Sequence, residues 1–294
     1  MGDVVEPDVA DWRFVEGGRL LPEVVVSAVG YTSRLDHPVL HRGLPSPALT
    51  LVLTFDEPVI SGFTPEEAFG RDAHTTHLVL GGLHTRPVFI AQPQLQSGIQ
   101  LAVRPLALRR LFGVPAGELS ERAVDARDVL GAGVERLWER LGESAGWAER
   151  FEVLAGFLRD GMTEVRREPR PEVTEAWKWI ARHRGTGSMA ALAEHVHLGE
   201  RQLSAVFKAE FGLSPKAASR LMRFEHARQR IALAVREGDR PDLSRTAQAC
   251  GYYDHSHLVR DFQQYAGESP RRWIGAELRN IQAGAGQRAE DFQA

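Results

Sequence analysis

Five landmarks recur at one fixed offset in the second half of this 294-residue chain. Leu203, Phe207, Gly212, Ser214 and Pro215 return as Leu258, Phe262, Gly267, Ser269 and Pro270, each 55 positions later. A fixed offset means two copies of one small unit, because a generic helical bundle does not keep five landmarks in step. Upstream of each copy lies a short alanine-rich helix, Ala190 to His195 in the first and Ser244 to Cys250 in the second. Each copy therefore reads as short helix, tight turn, second helix, glycine stop, and a Ser-Pro pair capping the next helix. The pairs Leu203/Phe207 and Leu258/Phe262 stand at i, i+4 and pin each second helix from behind. The opposite face is polar and partly basic: Arg201, Ser204 and Lys208 in one copy, His255, Ser256 and Arg260 in the other.

A helix held from behind by apolar residues and offering Arg, Ser and His outward is what reading the major groove of DNA requires. Between the copies, Lys216 to Val235 is an uninterrupted helical stretch of 20 residues. It spans ~30 Å at ~1.5 Å per residue, near the ~34–36 Å between successive major-groove faces on one side of a duplex. Arg220, Arg223, Arg228 and Arg230 on this connector are candidates for phosphate contact, with at least half of them expected to be merely solvated. Charge segregates in the same sense. Residues 1–165 carry 15 basic against 23 acidic side chains, whereas 166–282 carry 20 against 14. A basic back half suits a polyanionic partner, although charge alone leaves chance segregation equally open.

The first ~110 residues read as β-structure, from short β-branched or alternating runs at Val24–Val26, Leu49–Phe55, His77–Leu80, Pro87–Ile90 and Gly98–Val103. Their spacing suggests a sandwich or a small, cupin-like barrel. From Pro105 the period becomes helical, through Leu106, Leu111 and Phe112, then Val134, Leu137, Trp138 and Leu141, then Phe151, Leu154, Phe157 and Leu158. These apolar faces could meet a second copy of the chain or pack onto the barrel, and the two alternatives weigh equally. Arg166-Arg167-Glu168-Pro169-Arg170-Pro171 marks a linker. The expected organisation is α+β: a β-rich domain with trailing helices over 1–165, a linker at 166–171, an all-α double unit over 172–282, and a flexible tail at 283–294.

Residues 172–282 resemble the DNA-binding domain of AraC/XylS-type bacterial transcriptional regulators. The second unit carries the resemblance most fully, in Ala247-Gln248-Ala249-Cys250-Gly251-Tyr252-Tyr253-Asp254-His255-Ser256-His257-Leu258-Val259-Arg260-Asp261-Phe262 and in Gly267-Glu268-Ser269-Pro270-Arg271-Arg272-Trp273. The first unit matches through Arg201-Gln202-Leu203, Phe207-Lys208, Gly212-Leu213-Ser214-Pro215 and the connector's Arg223 and Ala227. The resemblance implies two helix-turn-helix units joined by a long helix. It also implies base contacts from Arg201, Ser204 and Ala205 in the first reading helix, and from His255, Ser256, Val259 and Arg260 in the second. Many relatives have arginine where this chain has Ala205 and a serine cap where it has Gly199. Specificity is therefore expected to lean on Arg201 and the second helix, since a bidentate Arg–guanine pair supplies ~1–3 kcal/mol of discrimination that alanine cannot. The implied partners are double-stranded DNA, a small-molecule effector of unknown identity bound by the β-rich half, a second copy of the chain, and, as an open option, RNA polymerase.

Other chemistries find little support. A single cysteine, Cys250, excludes an intramolecular disulfide framework and reads as a small buried side chain rather than a redox sensor. Asp254 reads as the N-cap of the second reading helix, Ser188 as the cap of the first short helix, and Trp177 and Trp273 as core aromatics. His37, His41, His74, His77 and His84 lack the spacing of a metal-binding cupin and are expected as exposed loop residues, with no metal and no cofactor. No nucleotide-binding glycine loop or nucleophile elbow is present, so the chain is not expected to be an enzyme. No apolar run approaches the ~20 residues of a spanning helix and the first ten residues are acidic, so a cytoplasmic protein is expected. A cupin-like enzyme or metal-binding protein with a helical tether is the alternative from another class. A non-specific architectural DNA binder is the second.

Overall fold

The computed structural model describes residues 11–163 and 168–275. Residues 164–167, which include the start of the expected linker, and the tail expected at 283–294 lie outside the described residues.

Among the described residues, the front half is built from ten strands: β1 (Asp11–Glu16), β2 (Val25–Arg34), β3 (Val39–Gly43), β4 (Leu49–Thr54), β5 (Val59–Gly62), β6 (His74–Thr76), β7 (Leu78–Gly81), β8 (Val88–Gln92), β9 (Leu95–Val103) and β10 (Ala123–Asp125). They form two antiparallel sheets, one in the order β1-β2-β9-β4-β7-β10 and one in the order β3-β8-β5-β6. Alternation drives the first sheet. Leu49, Leu51 and Leu53 of β4 are buried, in register with Val103, Leu101 and Ile99 of β9.

The five runs read from the sequence become β2, β4, β7, β8 and β9. Of the other five strands, β1, β10, β3 and β6 are the outer strands of the two sheets. An outer strand has one paired edge and shows polar side chains to solvent, so it lacks the apolar signature of a central one. The fifth, β5, is inside its sheet but only four residues long.

Helix α1 (Pro65–Phe69) sits between β5 and β6, capped by Thr64. The trailing helices are α2 (Pro105–Phe112), α3 (Ala126–Leu130), α4 (Ala132–Glu143) and α5 (Trp147–Thr163), with a 3-10 turn at Ala116–Leu119 between α2 and β10. The structure decides between the two destinations proposed for their apolar faces. Val134, Leu137, Leu141, Phe151, Leu154 and Leu158 are buried in the same core as the strand residues Leu51, Leu53, Ile99 and Leu101.

The back half is all helical: α6 (Pro171–Arg182), α7 (Met189–His195), α8 (Glu200–Phe211), α9 (Pro215–Arg236), α10 (Leu243–Ala249) and α11 (His255–Ala266), followed by helical residues 270–275. The connector expected over 20 residues is α9, with 22. The buried apolar residues of both halves form one continuous cluster. Among the described residues, no helix is long and apolar enough to cross a membrane.

Candidate nucleic-acid interface

Both repeat units fold as short helix, turn and reading helix. In the first, Ser188 accepts a hydrogen bond from the Ala191 amide and starts α7. Its turn passes through His197, which holds φ of 55°. Helix α8 then begins at Gly199, which offers no side-chain cap. In the second unit Asp242 caps α10 and the turn passes through Gly251 at φ 72°. Asp254 then accepts from the His257 amide at 2.8 Å to start α11. Both reading helices stop at a left-handed glycine, Gly212 at φ 75° and Gly267 at φ 71°, the conformation in which a side chain is penalised. Ser214 caps α9 through the Ala217 amide.

The apolar faces lie where the i, i+4 spacing puts them. Leu203, Phe207, Leu258 and Phe262 are all buried, each contributing about 1.5–3 kcal/mol by leaving water. Trp177 packs on Phe207 and Phe211, with ring centroids 6.1 and 4.4 Å apart. Phe224 of α9 packs on Phe262 and Tyr265, and Trp273 on Phe262. Both tryptophans are core aromatics. Cys250 is likewise buried, and burial pushes its thiol up to about 11, so it is an inert filler.

The candidate contact residues lie opposite. Arg201, Ala205 and Lys208 on α8 are exposed, as are His255, Ser256 and Arg260 on α11. Ser204 and Val259 are half-buried on the shoulders of the two helices. Arg245 on α10 and Arg271 and Arg272 after α11 are exposed as well, which adds positive charge around the second unit that the repeat pattern alone did not single out. Tyr253, in the turn before α11, is 93% exposed.

The connector arginines behave differently from their sequence reading. Arg220 donates to Asp261 at 2.7 Å and to Gln264 at 2.9 Å, so it ties α9 to α11. Arg223 lies over the Tyr252 ring, 5.0 Å from its centroid. Arg228 is held by Glu225 at 2.6 Å. Only Arg230 of the four is exposed. Arg220 and Arg228 build the fold because the buried acids Asp261 and Glu225 need a cationic partner, and Arg223 does so by packing on the Tyr252 ring.

Besides Glu225, the buried carboxylates Asp261 and Glu210 escaped the sequence reading, although the helical period marks them. Asp261 shares the inner stripe of Leu258, Phe262 and Tyr265, and Glu210 shares that of Leu203, Phe207 and Phe211. An acid on such a stripe must find a cation, and Glu210 finds Arg109 of α2.

The histidines of the β-rich half correct the expectation of exposed loop residues. His37 is exposed, but His41 and His74 lie within strands and are half-buried, as are His77 and His84. His77 Nδ1 meets the Thr54 hydroxyl at 3.1 Å, and its ring packs on Trp138. Burial lowers the His84 pKa while its Nδ1 meets the Arg86 carbonyl at 2.7 Å. Among the described residues, no three His, Cys, Asp or Glu side chains are grouped to hold a metal ion.

Residues 192–276, which run from within α7 past α11, match the helix-turn-helix domain family. This stretch is a helix-turn-helix domain. A probable transcriptional regulator, LumQ of Photobacterium leiognathi, is 34% identical over 86 residues, which are 29% of this chain and 33% of that protein. The chain thus spans about a third of the length of that curated relative. Apo ToxT from Vibrio cholerae superposes on 84% of this chain and 97% of its own, at 9% identity and a TM-score of 0.50. That likeness extends the shared fold to the β-rich half. The AraC-like transcriptional activator CuxR is 14% identical, with a TM-score of 0.29 over 79% of this chain and 88% of its own.

Proposed function

We propose that the chain is a sequence-specific DNA-binding regulator of transcription. One observation carries this reading: in both copies of the repeat, exposed Arg, His, Ser and Lys side chains stand on a helix whose other face is fully buried. Arg201, Ser204, Ala205 and Lys208 are the contact residues of the first unit, and His255, Ser256, Val259 and Arg260 those of the second. Arg245, Arg271 and Arg272 contact phosphates beside the second unit, fixing register without reading bases. The 22 residues of α9 span ~33 Å at ~1.5 Å per residue, the distance that brings two reading helices to successive major-groove faces.

On this reading residues 1–165 are the sensing and dimerisation domain and 172–282 the DNA-binding domain, joined at 166–171. A small-molecule effector acts by preferring one arrangement of the two, shifting the population by its differential affinity.

Selection of bound fragments from random duplexes tests the proposal. The expected product is an asymmetric site of two short boxes about one helical turn apart. Arg260→Ala relaxes base preference within the second box by about 1–3 kcal/mol, and Arg201→Ala does so within the first. A recovered pool with no common sequence, or unchanged preferences in both variants, overturns sequence-specific reading. Binding that falls steeply with salt but ignores sequence identifies an architectural binder instead.

A further inference from the structure

The two reading helices are gripped by the β-rich half at the same landmark of each repeat. At the first unit, Arg109 of α2 forms a fork on Glu210, with Nε 3.0 and 3.1 Å from the two carboxylate oxygens and Nη2 2.8 Å from Oε2. The pair is largely buried, with side chains 18% and 8% exposed. The 3-10 turn closes on the end of the same helix. A Cβ on Gly117 would stand 2.8 Å from the Ala209 carbonyl and 2.9 Å from the Gly212 amide, and one on Gly212 would stand 2.2 Å from Ser120. At the second unit, Arg42 of β3 donates from Nη1 to the Ala266 carbonyl at 3.0 Å and pairs with Glu268 at 2.6 Å. The backbone of Gly267 there faces Pro87. Gly212 and Gly267 are the equivalent stops of the 55-residue repeat.

Each reading helix also has fastenings of its own within the back half. Helix α8 is already fastened by Trp177 on Phe207 and Phe211, and α11 by Arg220 on Asp261 and by Phe224. The grips do not cover the reading faces, since Arg201, Ala205, Lys208, His255, Ser256 and Arg260 stay exposed with both grips closed. What they do fix is where each reading helix ends relative to a common body. The grips are also charge-assisted and directional, so they specify orientation as well as contact.

We propose that the β-rich half is a two-point brace that sets the distance and angle between the two reading helices, through Arg109–Glu210 at one stop and Arg42–Glu268 at the other. This rests on the DNA-binding reading for its consequence, the spacing of the two boxes, but the brace itself is measurable without DNA. A change that moves β3 against α2 moves one reading helix against the other, which gives the β-rich half a direct mechanical hold on operator choice.

The test is a spin-label distance measurement on the full chain with Gln202→Cys and Gln263→Cys, both exposed positions on the reading helices; buried Cys250 does not compete for label. The parent is expected to give one narrow distance distribution. Arg109→Gln and Arg42→Gln are each expected to widen it at least twofold or add a second population. The exchanged pair Arg109→Glu with Glu210→Arg is expected to restore the narrow distribution. Unchanged distributions in both single variants overturn the brace. Should Arg109→Gln fail to fold because Glu210 is left buried, the less buried Arg42→Gln decides alone. A second arm uses duplexes carrying the selected site with its spacer altered by one or two base pairs. The parent should lose about tenfold in affinity per step, and the two variants should bind the series within threefold. Variants that instead bind every duplex more tightly than the parent overturn the brace in favour of a restraint. A parent that selects no common sequence, yet whose labels show the grip-dependent distribution, refutes the DNA-reading proposal and leaves the brace standing.

Discussion

The two helix-turn-helix units share five landmarks and differ in almost everything that stabilises them. The second finds its local support within the back half: Asp254 caps its reading helix, Gly251 turns without strain, and Asp261 pairs through Oδ1 with Arg220 of the adjoining connector. The first has Gly199 in place of a capping side chain, His197 in a left-handed turn, and a buried acid, Glu210, whose partner Arg109 belongs to the β-rich half. A duplicated unit need keep only its packing positions. Caps, turns and buried charges can be supplied from whatever lies next to each copy, so one copy comes to depend on the other half of the chain.

The largest effect expected from breaking this contrast is at the second unit's own ion pair. Arg220→Ala leaves Asp261 buried and unpaired, and should lower unfolding stability by roughly 2–3 kcal/mol, less than the ~3–5 kcal/mol of a fully enclosed pair because Arg220 is partly solvated. Urea denaturation checks it, and Asp261→Asn in the same background should recover most of the loss.

Acidification probes the connector on the side of the first unit. Burial, with Arg184 and Arg230 nearby, holds the His226 imidazole down at about 4, so the folded chain prefers it neutral. Its contribution is complete above the unfolded value of ~6.5 and is lost as pH falls from there toward the folded value. Between pH 7 and 5 stability should drop by about 2 kcal/mol from this group. Urea midpoints at the two pH values measure the slope, which His226→Gln should flatten; an equal slope in the variant removes His226 as its source.

Smaller effects are expected at the turns. Gly251→Ala places a methyl at φ 72° and 2.5 Å from the Thr186 side chain, at an expected cost of about 1–2 kcal/mol. His197→Gly at the equivalent turn should stabilise by up to about 1 kcal/mol. Thermal unfolding should therefore shift in opposite directions, and equal signs would mean the turns are not equivalent. The smallest effect is at the caps: Gly199→Ser should add a few tenths of a kcal/mol, whereas Asp254→Ala should remove about 1 kcal/mol. Both are readable as changes in Tm.

Legibility followed locality. The caps at Ser188 and Asp254, the glycine stops and the buried faces of both reading helices lie in short stretches whose periodicity is strong, and all stand where the pattern placed them. The outer strands β1, β3, β6 and β10 were not legible, because a strand paired on one side takes its identity from its neighbour. The connector arginines misled for a related reason. Arginine is compatible with a phosphate and with a buried carboxylate alike, and nothing local told that Asp261 and Glu225 would face Arg220 and Arg228.

By itself, then, the amino-acid order determined that two copies of a small helical unit stand on either side of a long helix, and which face of each is apolar, since both follow from spacings within a few turns. Tertiary structure alone decided that Glu210 meets Arg109 across 101 positions and that Arg42 reaches Ala266 across 224. Such pairs are chosen by where the folded backbone brings a buried charge near a compatible partner, and by the cost of leaving that charge without one.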